Sequence, residues 1–247
     1  MIAQNEMFEA LPKPAPPALP DVWRASELAR ARVATRPSRH AQLDRELPSG
    51  GWPRSVLIEV LCQQNGGGEV QLLRPALAEL AQSQRVALIQ PPYLPNATAC
   101  DYLGIPPDKL VWLRPGSGAD ALWCAEQILK KNCGFGAVLL WQTNVRSESL
   151  RRLNLAAQAS DTWFWMLRPL AQAADPSPSP LRLALRPAAG AVTVDILKRR
   201  GPQCEQPLLV PLPDLPTRET ILEVEHEKLD QRAPAATVPR MHQTALV

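Results

Sequence analysis

The chain has 247 residues, 45% of them apolar, and a formal net charge of +3 at pH 7. This length and apolar content suffice for one α/β domain with a sizeable core and additional tails. So small a net charge does not by itself indicate nucleic-acid binding. The apolar stretches are far shorter than the ~20 residues needed to span a bilayer, so no membrane association is expected.

The cysteines predict neither a metal site nor a disulfide framework. They are five in number and widely scattered, and no two form a C-x-x-C pair: Cys62, Cys100, Cys124, Cys133 and Cys204. Scattered cysteines in odd number are typical of reduced thiols in the cytosol.

The first residues, MIAQNEMFEA, lack the basic start and apolar core of a signal peptide. We therefore expect a soluble cytoplasmic protein without a bound metal.

Composition divides the chain into three parts. Residues 1–22 contain the proline-rich stretch LPKPAPPALP, which predicts an extended, mobile arm. Residues 23–213 carry the regular apolar pattern of a folded domain. Residues 214–247 are first acidic and then rich in proline and alanine, which predicts an arm that is mobile or ordered by a partner.

The domain alternates apolar strands with amphipathic helices. Strands are predicted at 56–61, 85–90, 109–115, 136–141 and 162–169, and helices at 69–84, 118–131 and 147–160. Continuous apolar strands alternating with helices indicate a parallel sheet covered on both faces. Three further strands follow without intervening helices, at 181–187, 191–200 and 207–212. They predict an antiparallel extension at one edge of the sheet.

The stretch VLCQQNGGGEVQLL, residues 60–73, stands where a phosphate-binding loop would connect a strand to a helix. The motif requires Gly-x-x-x-x-Gly-Lys-[Ser/Thr], and the alignment that takes Gly67 as the second glycine places Cys62 at the first. Gly66 precedes Gly67 in the same turn. Gly68 then replaces the lysine that neutralises phosphates, and Glu69 replaces the hydroxyl that holds magnesium. Because Glu69 puts a carboxylate where the anion would lie, we predict a tight turn that binds no nucleotide.

A second nucleotide motif is also missing. An acidic residue should end a later apolar strand, but the strand AVLLWQ ends in Trp141 and Gln142. The sequence contains no recognisable Ser-His-Asp set or paired carboxylates. The sequence therefore predicts a protein that is not an enzyme and needs no cofactor.

With these features, the chain resembles the ImuA family of RecA-like accessory proteins from bacterial SOS mutagenesis cassettes. The resemblance covers about residues 35–212, and the stretches that carry it are HAQLDRELPSGGWPRSVLIEVL, GGGEVQLLRPALAELA, VALIQPPYLPNA, LLWQTNVRSESLRRLNLAAQAS and VTVDILKRRGP. It implies a RecA-like core that needs no ATP turnover and a role in translesion DNA synthesis at the nucleoid. The implied partner is ImuB, a Y-family polymerase homologue, and RecA and an error-prone DNA polymerase are further candidates.

Two alternative functions remain open at this point. Members of the family are also similar to SulA, so a cell-division inhibitor that binds FtsZ is the first alternative. SulA-type proteins are shorter, and the long C-terminal arm favours the ImuA-like function. The second alternative is a RecA-type ATPase with an unusual phosphate loop.

Basic residues in two places are candidate contacts to DNA or to a partner. Lys198, Arg199 and Arg200 are adjacent at a strand end, where they could contact phosphates or only keep a sheet edge soluble. Arg151 and Arg152 lie on the outer face of a predicted helix, where solvation is the simpler explanation. Weak DNA binding is therefore left open.

The tryptophans offer a further candidate surface. Trp52 lies in a Gly-Gly-Trp-Pro turn that is not easily buried, so we expect it at an interface. Trp163 and Trp165 should share one face of a strand, where packing under helices is favoured over base stacking.

Overall fold

In this computed structural model, the residues that can be described are 34–131, 133–204 and 206–213. The predicted arms at 1–22 and 214–247 lie outside them. The elements, in chain order, are β1 Thr35–Arg36, α1 Ala41–Glu46, β2 Trp52–Pro53, β3 Leu57–Cys62, α2 Glu69–Ala81, β4 Arg85–Ile89, α3 Ala97–Tyr102, β5 Leu110–Leu113, α4 Gly118–Lys131, β6 Phe135–Trp141, α5 Ser147–Gln158, β7 Trp163–Pro169, β8 Leu181–Ala188, β9 Ala191–Lys198 and β10 Leu208–Pro211. Short 3₁₀ turns are formed by Pro48–Gly50, Pro107–Lys109 and Leu170–Ala174.

Eight of these strands form one sheet in the order β10-β9-β8-β3-β7-β6-β4-β5. The pairs from β8 through β3, β7, β6 and β4 to β5 are all parallel. The pairs β8–β9 and β9–β10 are antiparallel. The sequence-based prediction of a mostly parallel sheet with an antiparallel extension at one edge is thus confirmed.

Helices cover both faces of the sheet because the central strands are apolar on both sides. On β3, Ile58 and Val60 belong to the core under α2, and Leu57 belongs to the core under α4 and α5. Helix α2 contributes its predicted apolar face, formed by Leu72, Leu73, Leu77 and Leu80. None of the helices within the described ranges is long and apolar enough to cross a membrane.

Local signals explain where two helices begin. The Ser117 hydroxyl accepts a hydrogen bond from the Asp120 amide at 3.2 Å, which caps the first turn of α4. The Asn96 side chain accepts one from the Ala99 amide at 3.2 Å and caps α3 in the same way. His40, the N-cap residue of α1, links this helix to α2, because its Nε2 lies 3.2 Å from the Leu72 carbonyl oxygen.

The prediction that Trp52 lies at an interface is wrong. Trp52 is fully buried, and its ring packs edge-on against Trp165, with centroids 6.0 Å apart and an interplanar angle of 88°. The turn folds inward because β2 pairs with β1, and Gly51 lies so close to Arg36 that a Cβ would be 2.3 Å from the Arg36 carbonyl oxygen. Trp163 is also buried, and its indole N–H donates to the Trp52 carbonyl at 3.4 Å. Packing of Trp163 and Trp165, rather than base stacking, is therefore confirmed.

Candidate functional site: the glycine loop and the neighbouring strand ends

The glycine loop connects β3 to α2 at the carboxyl end of the parallel strands, the edge of an α/β sheet where ligands commonly bind. Its backbone needs glycine at two positions, since φ is +74° at Gly66 and +103° at Gly68. A Cβ at Gly68 would lie 2.6 Å from the Leu212 Cδ1, so the Leu212 side chain would have to shift to admit a side chain there. The loop is therefore a tight turn, as predicted, and Gly68 does not project a group toward a phosphate.

The Glu69 side chain turns back into the loop. Glu69 is only 3% exposed, and its Oε1 accepts a hydrogen bond from the Gly66 amide at 2.8 Å. The other carboxylate oxygen, Oε2, is buried and has no hydrogen-bond partner. The carboxylate thus accepts a hydrogen bond from a backbone N–H of the loop, the kind of donor that a phosphate loop offers to an anion.

Cys62, at the first glycine position of the motif, is not a reactive thiol. Burial, and secondarily the nearby charge of Glu69, raise the pKa of Cys62 to about 12. The thiol is therefore protonated at neutral pH and has no nucleophilic character.

A cleft of 290 Å³ opens in front of the loop. Its walls come from the loop and α2, from the β8–β9 hairpin and from the end of the described chain: Gln64, Gly66, Gly67, Gly68, Gln71, Pro187, Ala188, Gly190, Ala191, Leu212 and Pro213. None of these lining residues is charged, so no cation lines the cleft to neutralise phosphate groups. The sequence did not predict that the hairpin and Leu212 would cover the loop, because their position depends on the antiparallel pairing of β8, β9 and β10.

Amide side chains occupy the position expected for an acidic residue. The Gln142 amide, just after β6, donates a hydrogen bond to the Gln90 Oε1, just after β4. The Gln90 Nε2 in turn donates to the Pro115 carbonyl at 3.1 Å and lies 3.4 Å from the Ser117 carbonyl. These glutamines line a second cleft of 500 Å³, together with Asn65, Pro92, Gly118, Trp141, Thr143, Asn144, Leu167, Arg168 and Pro169. The lining contains no carboxylate that could hold magnesium.

A buried ion-pair triad adjoins the second cleft, and the sequence analysis did not predict it. Glu59, in the middle of β3, is fully buried and accepts from Arg168 at 2.8 Å and from Arg182 at 2.7 Å. Arg182 also donates to the carbonyls of Gln172 and Ala173, at 3.0 and 3.1 Å. The triad therefore joins three central strands and fixes the segment after β7. A glutamate inside an otherwise apolar strand was the available signal, because a buried carboxylate requires cationic partners.

The two candidate arginines on α5 differ in their surroundings. The Arg152 Nε lies 2.9 Å from the Glu126 Oε2, and Glu126 also pairs with Lys130 at 2.6 Å. Arg152 therefore helps to join α5 to α4. Arg151 is exposed, and no ion pair or hydrogen bond links its side chain to another residue of the described ranges.

The three cations at the end of β9 also separate into different roles. Arg199 is partly buried and its guanidinium lies 2.7 Å from the Glu46 Oε2, which ties β9 to α1. The Lys198 Nζ donates to the Ser177 carbonyl at 2.9 Å and is otherwise exposed. Arg200 is exposed. No ion pair or hydrogen bond within the described ranges joins this cluster to the arginines of α5. Residues 34–131, 133–204 and 206–213 contain no group of three or more His, Cys, Asp or Glu side chains that could hold a metal ion.

Comparison with known proteins gives a partial similarity to RecA. No protein-family model matches the chain. RecA of Bacillus licheniformis is 30% identical over 110 residues, which is 44% of this chain and 31% of that protein. RecA of Bacillus subtilis (strain 168) is 29% identical over 110 residues, with the same shares of the two chains. RecA of Acholeplasma laidlawii is 32% identical over 109 residues, 44% of this chain and 33% of that protein.

The chain spans about a third of the length of the curated relatives that it matches. Over the part of the chain that matches, the similarity to RecA is consistent with the fold observed here, a mostly parallel eight-stranded sheet. The predicted α/β fold with a RecA-like core is therefore confirmed, and the chain is similar to RecA over 44% of its length.

Proposed function

We propose that the chain is a non-catalytic adaptor in SOS-induced translesion DNA synthesis, which binds ImuB and has RecA and an error-prone polymerase as further partners. The observation that carries the proposal is the carboxylate of Glu69 inside the glycine loop of a RecA-like fold. Its place of action is the nucleoid. The adaptor's folded domain is taken as residues 23–213, with residues 1–22 and 214–247 as arms.

Two independent features support the absence of catalysis. The glycine loop has neither lysine nor hydroxyl, and Glu69 adds a negative charge where a phosphate would have to lie. At the strand ends, Gln90 and Gln142 pair with each other where a metal-binding carboxylate would be needed. Loss of both features favours a fold that is used for its surface rather than for nucleotide turnover.

An exposed apolar loop beside the glycine loop supports protein binding. Tyr93 and Leu94 are 66% and 70% exposed, and they lie in the proline-rich connection between β4 and α3. A Cβ on Gly66 would lie 3.5 Å from the Tyr93 ring, so this loop adjoins the glycine loop. Neighbouring exposed apolar side chains are a common feature of protein interaction sites, and we propose this loop as the ImuB-binding surface.

Nucleotide binding gives the first test. The purified protein should show no saturable ATP binding at physiological magnesium and no DNA-stimulated hydrolysis. Hydrolysis that is abolished by substitution of Gly67 or Gly68 would show instead that the chain is a RecA-type ATPase with an unusual loop.

Partner capture gives the second test. The chain should co-purify with ImuB and not with FtsZ, whereas capture of FtsZ alone would support the division-inhibitor function. The double variant Tyr93→Ala/Leu94→Ala should weaken ImuB binding by about tenfold or more, as expected for apolar contacts at the centre of an interface. Leu155→Ala on α5 is the matched control. Leu155 is 64% exposed, and α5 covers the face of the sheet opposite to the one that α2 covers. Equal losses in both variants would exclude the Tyr93 loop as the binding surface.

A further inference from the structure

We propose that the glycine loop is an anion-binding site whose occupant is the chain's own Glu69 carboxylate, and that removal of this carboxylate lets the loop bind inorganic phosphate or pyrophosphate. The inference deepens the proposed function, since it explains why a phosphate-loop backbone persists in a chain proposed to bind no nucleotide.

The backbone donors of an anion site are present. Helix α2 has 13 residues, and its N-cap residue, Gly68, has no side chain to cap the first turn. The first amides of a helix have no acceptor within the helix, and its N-terminus carries a partial positive charge. The left-handed conformations of Gly66 and Gly68 curve the loop around this end of α2, an arrangement that favours binding of an anion.

The contact made by Glu69 differs from an ordinary helix cap. In a capping box, the third residue of the helix reaches back to the amide of the N-cap residue. Here Gln71 is the third residue and Gly68 the N-cap residue, but it is Glu69, the first residue, that reaches back to Gly66. The separation of three residues equals that of a capping box, but the contact lies two residues before the N-cap residue, in the loop rather than on the helix end.

The second carboxylate oxygen gives an independent indication. The Glu69 Oε2 is buried without a hydrogen-bond partner, and Glu69 forms no ion pair with any described residue. An unpaired buried oxygen is costly, so the carboxylate must be held in place by the Gly66 amide and the positive end of α2. A bound phosphate oxygen would be held by the same two features.

The surroundings define which anion the emptied site can take. The 290 Å³ cleft has no charged lining residue, so a bound anion would depend on the loop amides and the positive end of α2. Phosphate and pyrophosphate are small enough to use the loop amides alone. The expected affinity is correspondingly weak, and binding should fall as salt screens the charge.

The experiment compares two variants of the full chain with a matched control. Glu69→Ala removes the carboxylate, and Glu69→Ser supplies a second variant with the hydroxyl found in nucleotide-binding loops. Glu148→Ala is the control, since it makes the same charge change in the first turn of α5, where the carboxylate is exposed. Pyrophosphate binding is measured by calorimetry and by the amide NMR shifts of Gly66, Gly67 and Gly68.

We expect both Glu69 variants to bind pyrophosphate saturably, with shifts confined to the loop and the start of α2. Wild type and Glu148→Ala should show no saturable binding. The proposal is overturned if either folded Glu69 variant fails to bind, if the wild type binds equally well, or if Glu148→Ala gains the same affinity. Failure of the Glu69 variants with a wild type that also binds no ATP would leave the proposed adaptor function intact and reject only the self-occupied site.

Discussion

Glu59 on β3 and Arg182 on β8 are direct partners in the register of the parallel ladder, and their side chains form a buried ion pair of 2.7 Å. Arg168, from β7 on the other side of β3, completes the triad at 2.8 Å. The junction between the parallel sheet and its antiparallel extension is therefore held by charge as well as by apolar packing. Loss of the central carboxylate would leave two buried guanidinium groups without their main counter-charge.

Glu59→Gln should lower the free energy of unfolding by about 3 kcal/mol or more, because breaking a buried ion pair leaves uncompensated charge. Asp161→Asn is the control, since it removes an exposed partner of Arg54 at 2.9 Å and should cost less than about 1 kcal/mol. Urea denaturation of both variants provides the measurement. Similar losses of unfolding free energy in the two variants would show that the buried triad stabilises the fold no more than an exposed ion pair does.

Trp52→Ala should lower the free energy of unfolding by about 3–5 kcal/mol, the usual effect of truncating a large buried aromatic side chain. Trp52→Phe should cost less, because a ring remains to pack against Trp165. Thermal unfolding measures both effects. Trp52 contacts the core rather than solvent, so the folded Trp52→Phe variant should bind ImuB as the wild type does. A loss of ImuB binding without a change in melting temperature would contradict this assignment.

Elements with strong local signals could be predicted from the sequence. Helix α4 was predicted at 118–131 and has those bounds in the structure, because its apolar spacing and its Ser117 cap agree. Strands β6 and β7 were predicted to within one residue at their starts, since continuous apolar runs identify buried strands.

Features that depend on tertiary contacts could not be predicted. The burial of Trp52 follows from the approach of Gly51 to Arg36, which are fifteen residues apart in the chain. The pairing of Gln90 with Gln142 follows from β4 and β6 being neighbours in the sheet. At the glycine loop, the sequence predicted a carboxylate in place of the anion, but the hydrogen bond to Gly66 and the cover provided by Leu212 required the three-dimensional structure.

The logarithm of the DNA-binding constant falls linearly with the logarithm of the salt concentration, with a slope of about −0.9 for each phosphate contact. The double variant Lys198→Ala/Arg200→Ala should therefore make this slope less negative by about 2 for duplex DNA. These two side chains are exposed, so the fold should be unaffected. Arg199→Ala should instead destabilise the fold, because Arg199 pairs with Glu46 at 2.7 Å. Binding is measured at several salt concentrations, with the exposed Arg151→Ala as control. An unchanged slope in the double variant would show that these cations are merely solvated.

The C-terminal arm can be separated from the core by two truncations that differ by only seven residues. Removal of residues 214–247 retains β10 and Leu212, which lies against Gly68, so the melting temperature should be nearly unchanged. Removal of residues 207–247 also deletes β10 and the buried Val210, so it should lower the melting temperature sharply.

Partner binding then shows what the arm does. The stretch TRETILEVEHEKLDQR at 217–232 begins with a residue that commonly caps helices, but its four apolar side chains form no complete stripe. Such a segment buries too little area alone to offset its ordering entropy, and a partner surface would supply the missing area. The shorter truncation should therefore keep its melting temperature and lose affinity for ImuB or RecA, measured by pull-down and calorimetry. Full binding by this stable truncation would show that the arm is only a tail, and a large fall in its melting temperature would show that the arm belongs to the folded core.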